Sequence, residues 1–430
     1  YIGVDATGTK ALGNGDEGIK VFGVTSSAAN NVIGGSAPEF RNVISGNGEE
    51  GILLFGRQVM STTIQGNYIG TDKDGLRALG NAREGIEISN DASQNTIGGG
   101  NISTGQPCSG ACNVISGNAG HGIYIVGDHN TVMGNFIGTN VNGTAAVPND
   151  DDGVYITLSE ALTNTVRSNL ISGNRGNGVH LGTSAAHNVV RGNLIGTDIN
   201  GTAKLGNGGA GVYNEANWSV IGGDSGGHPP ATCADPCNLI SSNSVGITTT
   251  WGAEGHTTIL GNFIGADING EAPLGNQSHG IAAYEREAII SQNLISANGG
   301  NGLYLYGEYF THGYSNTVQA NVIGMTSDEN EDVLYMGNKG YGIFVYRSKD
   351  NLIGGEQDGQ GNTIAFNAKG GVVISTTVST GNRILRNSIF NNQGAHNLGI
   401  DLGEDGVTPN CNTPEMVNTL KLSLIHISEP

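Results

Sequence analysis

Three observations predict an all-β fold, a right-handed parallel β-helix (solenoid) of about thirteen coils. A motif of the form Gly-(Ile/Val/Leu)-x-(apolar) starts thirteen times along the 430 residues. The stretches between its copies break into strand-sized segments bounded by Gly, Asn and Ser. No segment carries the apolar period of an amphipathic helix. A unit this short cannot bury its own apolar face and must stack on its neighbours, and parallel crossovers turn right-handed.

Taken in order, the leading glycines are Gly18, Gly51, Gly85, Gly122, Gly153, Gly178, Gly211, Gly246, Gly280, Gly302, Gly342, Gly371 and Gly399. The shortest interval, Gly280 to Gly302, is 22 residues and holds Gly-Ile-Ala-Ala, a turn, and Asn293-Leu-Ile-Ser-Ala-Asn298. That is the bare coil: three short strands joined by tight turns. Alternation assigns faces. Positions one and three after each glycine point inward, as in Ile52/Leu54, Ile86/Ile88, Ile123/Ile125 and Leu303/Leu305. Asn214 and Thr249 depart from the aliphatic column and predict local irregularity. Strands ~4.8 Å apart predict a rod of about 58 Å. Asparagines before and after each Ile-x-Gly predict stacked amide ladders at the turns.

Longer coils carry two kinds of insertion. One follows Ile-Gly-Gly, at Ile33, Ile97, Ile221 and Ile353; the other runs from Ile-Gly-Thr-Asp to Leu-Gly-Asn, as in Ile69 to Leu79 and Ile195 to Leu205. The second kind keeps a ten-residue spacing in five of six copies, which implies a defined loop. The two kinds alternate along the array.

The repeats make residues 1–410 one array sharing a continuous core. It is expected to be a fragment truncated at both ends, followed by a non-repeat tail over 411–430 whose last residues, 423–430, are read as artefactual. Lys and Arg number 19 against 38 acidic residues, a formal charge of −19. Such a chain repels nucleic acid and anionic membranes and attracts cations. No apolar run reaches the ~20 residues of a membrane span. We expect no nucleic-acid partner, no membrane insertion and a monomer.

Asn-x-Ile-x-Gly-Asn followed by Gly-Ile-x-Ile, as at Asn113 to Ile125, resembles the parallel β-helix repeats of the pectin-lyase-like superfamily. The alternating insertions are similar to those of large secreted repeat proteins of environmental bacteria. The close at Gly399-Ile-Asp-Leu-Gly403 and Gly406-Val-Thr-Pro-Asn410 is similar to the way such arrays end. The resemblance covers about residues 1–410. It implies the fold firmly and the activity weakly, since lyases, hydrolases, epimerases, tailspikes and adhesins share it.

Four constellations could carry function. Cys108-Ser-Gly-Ala-Cys112 and Cys233-Ala-Asp-Pro-Cys237 hold equivalent places in two Ile-Gly-Gly insertions. Four coils, roughly 19 Å, are too far for one zinc with ~2.3 Å Zn–S bonds. Two loop-closing disulfides are expected instead, and with them an extracellular setting. Cys411 has no partner in the pattern. The residue before the leading glycine reads Glu17, Glu50, Glu84, His121, Asp152, with Asp16, Glu49 and Asp151 beside it. This column is either a solvated acidic rim or a Ca²⁺ site on Glu17, Glu50 and Glu84. Asp328 to Asp332 is another cation candidate, and no cofactor is required.

The outward position reads Tyr124, Tyr155, His180, Tyr213 over four consecutive coils, and Tyr304 and Phe344 share it farther on. Tyr284, Tyr306 and Tyr346 align two positions later. Tyrosines at strand spacing can stack on sugars and hydrogen-bond them, or simply pair across strands. Finally, Asp5–Gly8, Asp72–Gly75, Asp198–Gly201 and Asp267–Gly270 read as Asx turns rather than calcium loops. Gly120-His121-Gly122, Ser278-His279-Gly280 and Asp150 to Asp152 resemble pieces of the polygalacturonase signature, in the wrong order and without its Arg-Ile-Lys; Arg383-Ile384-Leu385 stands there instead.

The expected function is non-catalytic binding of a polysaccharide or cell-surface glycan along the aromatic face. A polysaccharide lyase or glycoside hydrolase using His121, Asp151 and Asp152 on an extended acidic glycan is the alternative, and a structural spacer the third.

Overall fold

The computed structural model describes residues 1–157, 162–224, 226–250, 255–307, 314–326, 335–394 and 398–404. Cys411, Asp328 to Asp332, Gly406 to Asn410 and the tail lie outside the described residues. The chain forms two compact units: Tyr1–Ser219 with Ser242–Ser244, and Val220–Ser241 with Val245–Pro430. Each is built the same way, from coils of three short strands. In the first unit the first sheet runs through Ile19–Phe22, Ile52–Phe55, Ile86–Ser89, Ile123–Ile125, Val154–Ile156, Val179–Leu181 and Ala210–Asn214. In the second it runs through Val245–Thr249, Ile281–Ala283, Leu303–Tyr306, Tyr341–Tyr346, Gly370–Ser375 and Ile400–Leu402. All strand pairs of these sheets are parallel and in register. The only helix among the described residues is a 3-10 turn at Pro38–Phe40. No helix among them is long and apolar enough to cross a membrane.

The core is three columns of aliphatic side chains, one per sheet. Ile86, Ile123, Val154 and Val179 stack in the first, Ile97, Val132, Val166 and Val190 in the second, Ile115, Ile137, Ile171 and Ile195 in the third, all with no exposed surface. Each such side chain contributes about 1.5–3 kcal/mol of burial. The expected irregularity at Asn214 and Thr249 is absent: both strands continue in register through them. Asn214 is satisfied at its corner, donating to Ala216 O (3.0 Å), and Thr249 faces a buried carboxyl, Glu285.

The leading glycine has a steric cause. A Cβ on Gly122 would lie 2.6 Å from the carbonyl oxygen of Gly153 on the next coil and 2.8 Å from Ile137 Cγ2. The amide ladders are present, and there are three kinds rather than two. One joins Asn14, Asn47, Asn81, Asn118, Asn149, Asn174, Asn207 and Asn243, each Nδ2 donating to the next Oδ1 at 2.8–3.0 Å. A second joins Asn42, Asn67, Asn113, Asn135, Asn169 and Asn193. The third, before the second strand, runs Asn95, Asn130, Asn164, Asn188 and was not legible as a ladder in advance. The second unit repeats the scheme, for example Asn276 to Asn298 to Asn338 to Asn367 to Asn392.

The alternation of insertions also has a physical reason. In coils without the ten-residue loop, a serine follows the third strand and its hydroxyl donates to the loop of the next coil. Ser45 reaches Thr71 O, Ser116 reaches Thr139 O, Ser172 reaches Thr197 O and Ser241 reaches Ala266 O, at 2.7–2.8 Å. The loops are closed by antiparallel bridges such as Thr71 to Ala78 and Thr139 to Ala146. Asp72, Asp198 and Asp267 accept backbone N–H groups four and five residues on, so each carboxylate closes its whole loop, a longer reach than the two-residue Asx turn expected. Both disulfides are formed, Cys108–Cys112 and Cys233–Cys237. The amides of Cys108 and Cys233 donate to Val141 O and Ile268 O, so each disulfide loop is pinned to the ten-residue loop that follows it.

Candidate functional site

Period-two alternation turns the middle residue of each first-sheet strand outward, and strict register puts successive middle residues side by side. In the first unit Glu87, Tyr124, Tyr155, His180 and Tyr213 are therefore consecutive cross-strand neighbours. Ring centroids are 5.5 Å apart for Tyr124–Tyr155, 4.3 Å for Tyr155–His180 and 4.9 Å for His180–Tyr213. His121, from the residue before the leading glycine, joins the ladder 5.8 Å from Tyr124 and 5.0 Å from Tyr155. The rings lean on one another, at 21° for Tyr155–His180 and 16° for His121–Tyr124. Neighbours thus cover much of the ring faces, and edges and polar atoms are what remain for a ligand.

Behind the ladder lies a polar cluster. Asp152 is buried; its Oδ2 stands 3.0 Å from His180 Nδ1, and its Oδ1 accepts the Nδ2 of Asn177 at 2.9 Å together with the Asn177 backbone N–H. Burial pushes the Asp152 carboxyl up, but the hydrogen bonds from His180 and Asn177 outweigh it and hold the group below the usual range. The other ring nitrogen of His180 faces Glu215 at 3.2 Å. His121 is different. Its Nδ1 accepts the backbone N–H of Asp152 at 3.1 Å, so the 3.8 Å approach of Asp152 Oδ2 is no ion pair and the ring proton sits on Nε2. Burial, followed by Tyr155 and the carboxylates of Glu87 and Glu84, pushes the Tyr124 phenol up. Asp151 is exposed and lies outside this network.

The acidic rim is arranged differently from the expected Glu17, Glu50, Glu84 set. Glu17 pairs with Lys20 at 2.6 Å. The carboxylates that converge are Glu50, Glu84 and Glu87, with oxygens within 4.8 Å of one another. Arg83 stands beside them, 3.1 Å from Glu49, 3.2 Å from Glu50 and 3.6 Å from Glu84, so a guanidinium offsets part of the carboxylate charge. Burial pushes the Glu50 carboxyl up. Glu17, Lys20, Glu50, Arg83 and Glu87, with Phe22, Leu53 and Phe55, line a groove of about 560 Å³. Sequence reasoning missed Arg83, Glu87, Asn177 and Glu215, although each had a signal: Arg83 stands in the column of Asp16 and Glu49, Glu87 in that of Tyr124, Asn177 in that of Asp152, and Glu215 in that of Tyr284, Tyr306 and Tyr346.

In the second unit Tyr304 stacks on Phe344 (5.5 Å, 20°) and Tyr306 on Tyr346 (5.7 Å, 19°), with Tyr284 packed 5.3 Å from Tyr306. His279 lies 5.1 Å from Tyr304, and Tyr341, also unanticipated, stacks on Phe344 at 5.3 Å. Burial, then the neighbouring phenols, pushes Tyr304 up to about 12. The first two strands of this sheet carry Thr248 and Ala282 at the outward position, so that column turns aromatic only at the third.

Residues 31–195 match the family described as "Right handed beta helix region". No curated protein matches the chain. Among solved structures, the A-module of mannuronan C-5 epimerase AlgE6 from Azotobacter vinelandii is 14% identical, over 84% of this chain and 88% of that one, with a TM-score of 0.39. An alginate lyase from Paenibacillus is 14% identical over 90% and 99% (TM-score 0.25). PfbA, a surface adhesin of Streptococcus pneumoniae, is 11% identical over 81% and 83% (TM-score 0.24). The family match over residues 31–195 and the stacked parallel coils of both units show a right-handed parallel β-helix fold.

Proposed function

We propose that this protein is a non-catalytic glycan-binding module of an extracellular or cell-surface protein, holding an extended polysaccharide along the outward face of the first sheet. The observation that carries this reading is the run His121, Tyr124, Tyr155, His180, Tyr213, half-buried rings spaced 4.3–5.8 Å apart. Edges, phenol hydroxyls and the His121 Nε2–H suit the mixed donors and acceptors of sugar hydroxyls. Carboxylates of Glu84, Glu87 and Glu215 add acceptors and disfavour a polyanion, so a neutral glycan fits the first unit best. The two disulfides support an oxidising, extracellular setting.

The bonding around His121 and Asp152 weighs against catalysis. Proton abstraction needs a base with a free lone pair in reach of substrate. His121 Nδ1 is already engaged by the Asp152 amide, Asp152 is held by His180 and Asn177, and Tyr124 is pushed away from phenolate.

The test is mobility of the wild type and of the Tyr124→Ala/Tyr155→Ala/Tyr213→Ala variant in native gels cast with soluble polysaccharides, with and without Ca²⁺, alongside chain-length analysis of the polysaccharide. Retardation lost in the variant supports the proposal, and retardation unchanged overturns it. Shortened chains would move the assignment to catalysis at His121, Asp151 and Asp152. A protein that neither binds nor cleaves is a spacer.

A further inference from the structure

We propose that the second unit carries its own glycan site, built on His279 and Tyr304, and that the protein is therefore a bivalent cross-linker of polysaccharide chains. The inference rests on the binding reading above and extends it from one face to two separate sites.

The argument is a repeated geometry. Among the thirteen residues that precede a leading glycine, histidine occurs twice, at His121 and His279. In both places the Nδ1 accepts a backbone N–H from the coil that follows: Asp152 N–H at 3.1 Å and Asn301 N–H at 3.0 Å. That bond fixes the tautomer and leaves Nε2–H as a donor. In both places the imidazole lies against the outward tyrosine of that next coil, Tyr155 at 5.0 Å and 52°, Tyr304 at 5.1 Å and 40°. The fold does not require this pairing. The other coils place Glu, Asp, Asn, Ala, Val, Tyr, Gly or Leu at the same position, and the turn forms with each.

The two sites are not copies in their surroundings. Tyr155 is backed by His180, Asp152 and Glu215. Tyr304 is backed by Phe344 and Tyr306, and the patch is flanked by cations: Arg347 lies 5.0 Å from the Tyr346 ring and Lys369 5.8 Å from the Tyr341 ring. Burial holds His279 neutral by pushing its pKa down. The second site thus presents a neutral donor and phenols on an apolar bed, and the described carboxylates that act on it, Glu404 and Asp401, are felt at Tyr341 rather than at Tyr304. The site takes the same hydroxyl-rich chain and tolerates acidic sugars that the first unit repels. Two sites on one chain convert weak single contacts into avidity and join separate polysaccharide molecules.

The experiment uses the full chain and two double variants, His121→Ala/Tyr155→Ala and His279→Ala/Tyr304→Ala, plus their combination. The probes are hydroxyethylcellulose, galactomannan and alginate. Retardation in gels reads binding, and low-shear viscosity of a polysaccharide solution reads cross-linking. Each double variant should keep a several-fold weakened retardation and lose the viscosity rise; the combination should lose both. With alginate, only the second-unit variant should matter. Circular dichroism and the variants Tyr155→Phe and Tyr304→Phe, which remove a hydroxyl and keep the ring, guard against misfolding. If one double variant alone abolishes retardation while the other changes nothing, the binding reading stands and bivalence falls. If the wild type is retarded by none of the probes, both fall.

Discussion

Asp152 reaches across to the next coil to place its Oδ2 3.0 Å from Nδ1 of His180, and that contact orients the middle of the aromatic ladder. His180 stacks at 4.3 Å on Tyr155 and meets Tyr213 edge-on at 4.9 Å, so the carboxylate sets the imidazole and the imidazole sets the rings on either side.

The contact makes a pH-dependent contribution with a definite sign. The folded-state pKa of Asp152 lies below its ordinary value of 3.8, so the folded protein binds fewer protons than the unfolded chain as the pH falls toward that value. Its stabilisation is complete above 3.8 and is lost as the pH drops through the folded-state pKa. Asp152→Ala should therefore cost about 1.5–3 kcal/mol near neutrality, with the gap to wild type narrowing in acid. Urea unfolding at pH 7 and below pH 3.8 checks it. A variant equal to wild type at pH 7 would show that the contact orients without stabilising.

Glu285 works in the opposite direction. It is buried in the second unit, its Oε2 accepting the Thr257 hydroxyl at 2.8 Å and its Oε1 without a hydrogen-bond partner. Burial raises its pKa from 4.5 to about 7, against the smaller lowering by the Thr257 hydrogen bond. The unfolded chain gives up this proton first, so stability falls as the pH rises from about 4.5 and levels off above about 7. A shift of that size corresponds to about 3 kcal/mol. Glu285→Gln cannot ionise and should melt higher than wild type at alkaline pH while matching it in acid. Parallel melting curves across that range would disprove a buried, titrating carboxyl.

The asparagine ladders should be graded in strength along their length. Asn118 accepts from the backbone and side chain of Asn81 and donates to Asn149, fully buried. Asn118→Ala orphans at least one buried N–H and should cost about 1–3 kcal/mol for each. Asn14 is exposed at the ladder's end, and Asn14→Ala should cost about 0.5 kcal/mol or less. Denaturant midpoints of the two variants decide; equal losses would mean that the ladder is not the source of the cost.

These cases show what the sequence could and could not display. Anything imposed on every coil is visible as a period: the aliphatic columns, the leading glycine, two of the three amide ladders, and the tyrosines that share a column. The Asp152–His180–Glu215 chain is not periodic. It joins three different columns on three coils, and side-chain reach rather than spacing brings them together. Thr249, an apparent flaw in the inward column, reads as one only until Glu285 is seen opposite it. The alternation of insertions was plain, but its cause was not, because Ser45, Ser116 and Ser172 act through hydrogen bonds to the following coil.

Arg83 is a reversal of charge within a pattern, a cation in the column of Asp16, Glu49 and Asp151. It neutralises Glu49 and Glu50 at 3.1 and 3.2 Å and approaches Glu84 at 3.6 Å. Stacked carboxylates repel unless a cation is shared, and the guanidinium is that cation. In the wild type Ca²⁺ should leave the melting temperature unchanged. Arg83→Gln removes the cation while Glu50, Glu84 and Glu87 stay within 4.8 Å of one another, three hard oxygen donors suited to Ca²⁺. The variant should be less stable than wild type in low salt and recover as NaCl screens the repulsion. Ca²⁺ should restore it at far lower concentration, by about 2.7 kcal/mol at a hundredfold excess over Kd. Thermal melts with NaCl, CaCl₂ and chelator separate these effects. Stabilisation of the wild type by Ca²⁺ would mean that Arg83 yields to a metal, whereas a variant rescued no better by Ca²⁺ than by equal ionic strength would show that the three glutamates form only a charged rim.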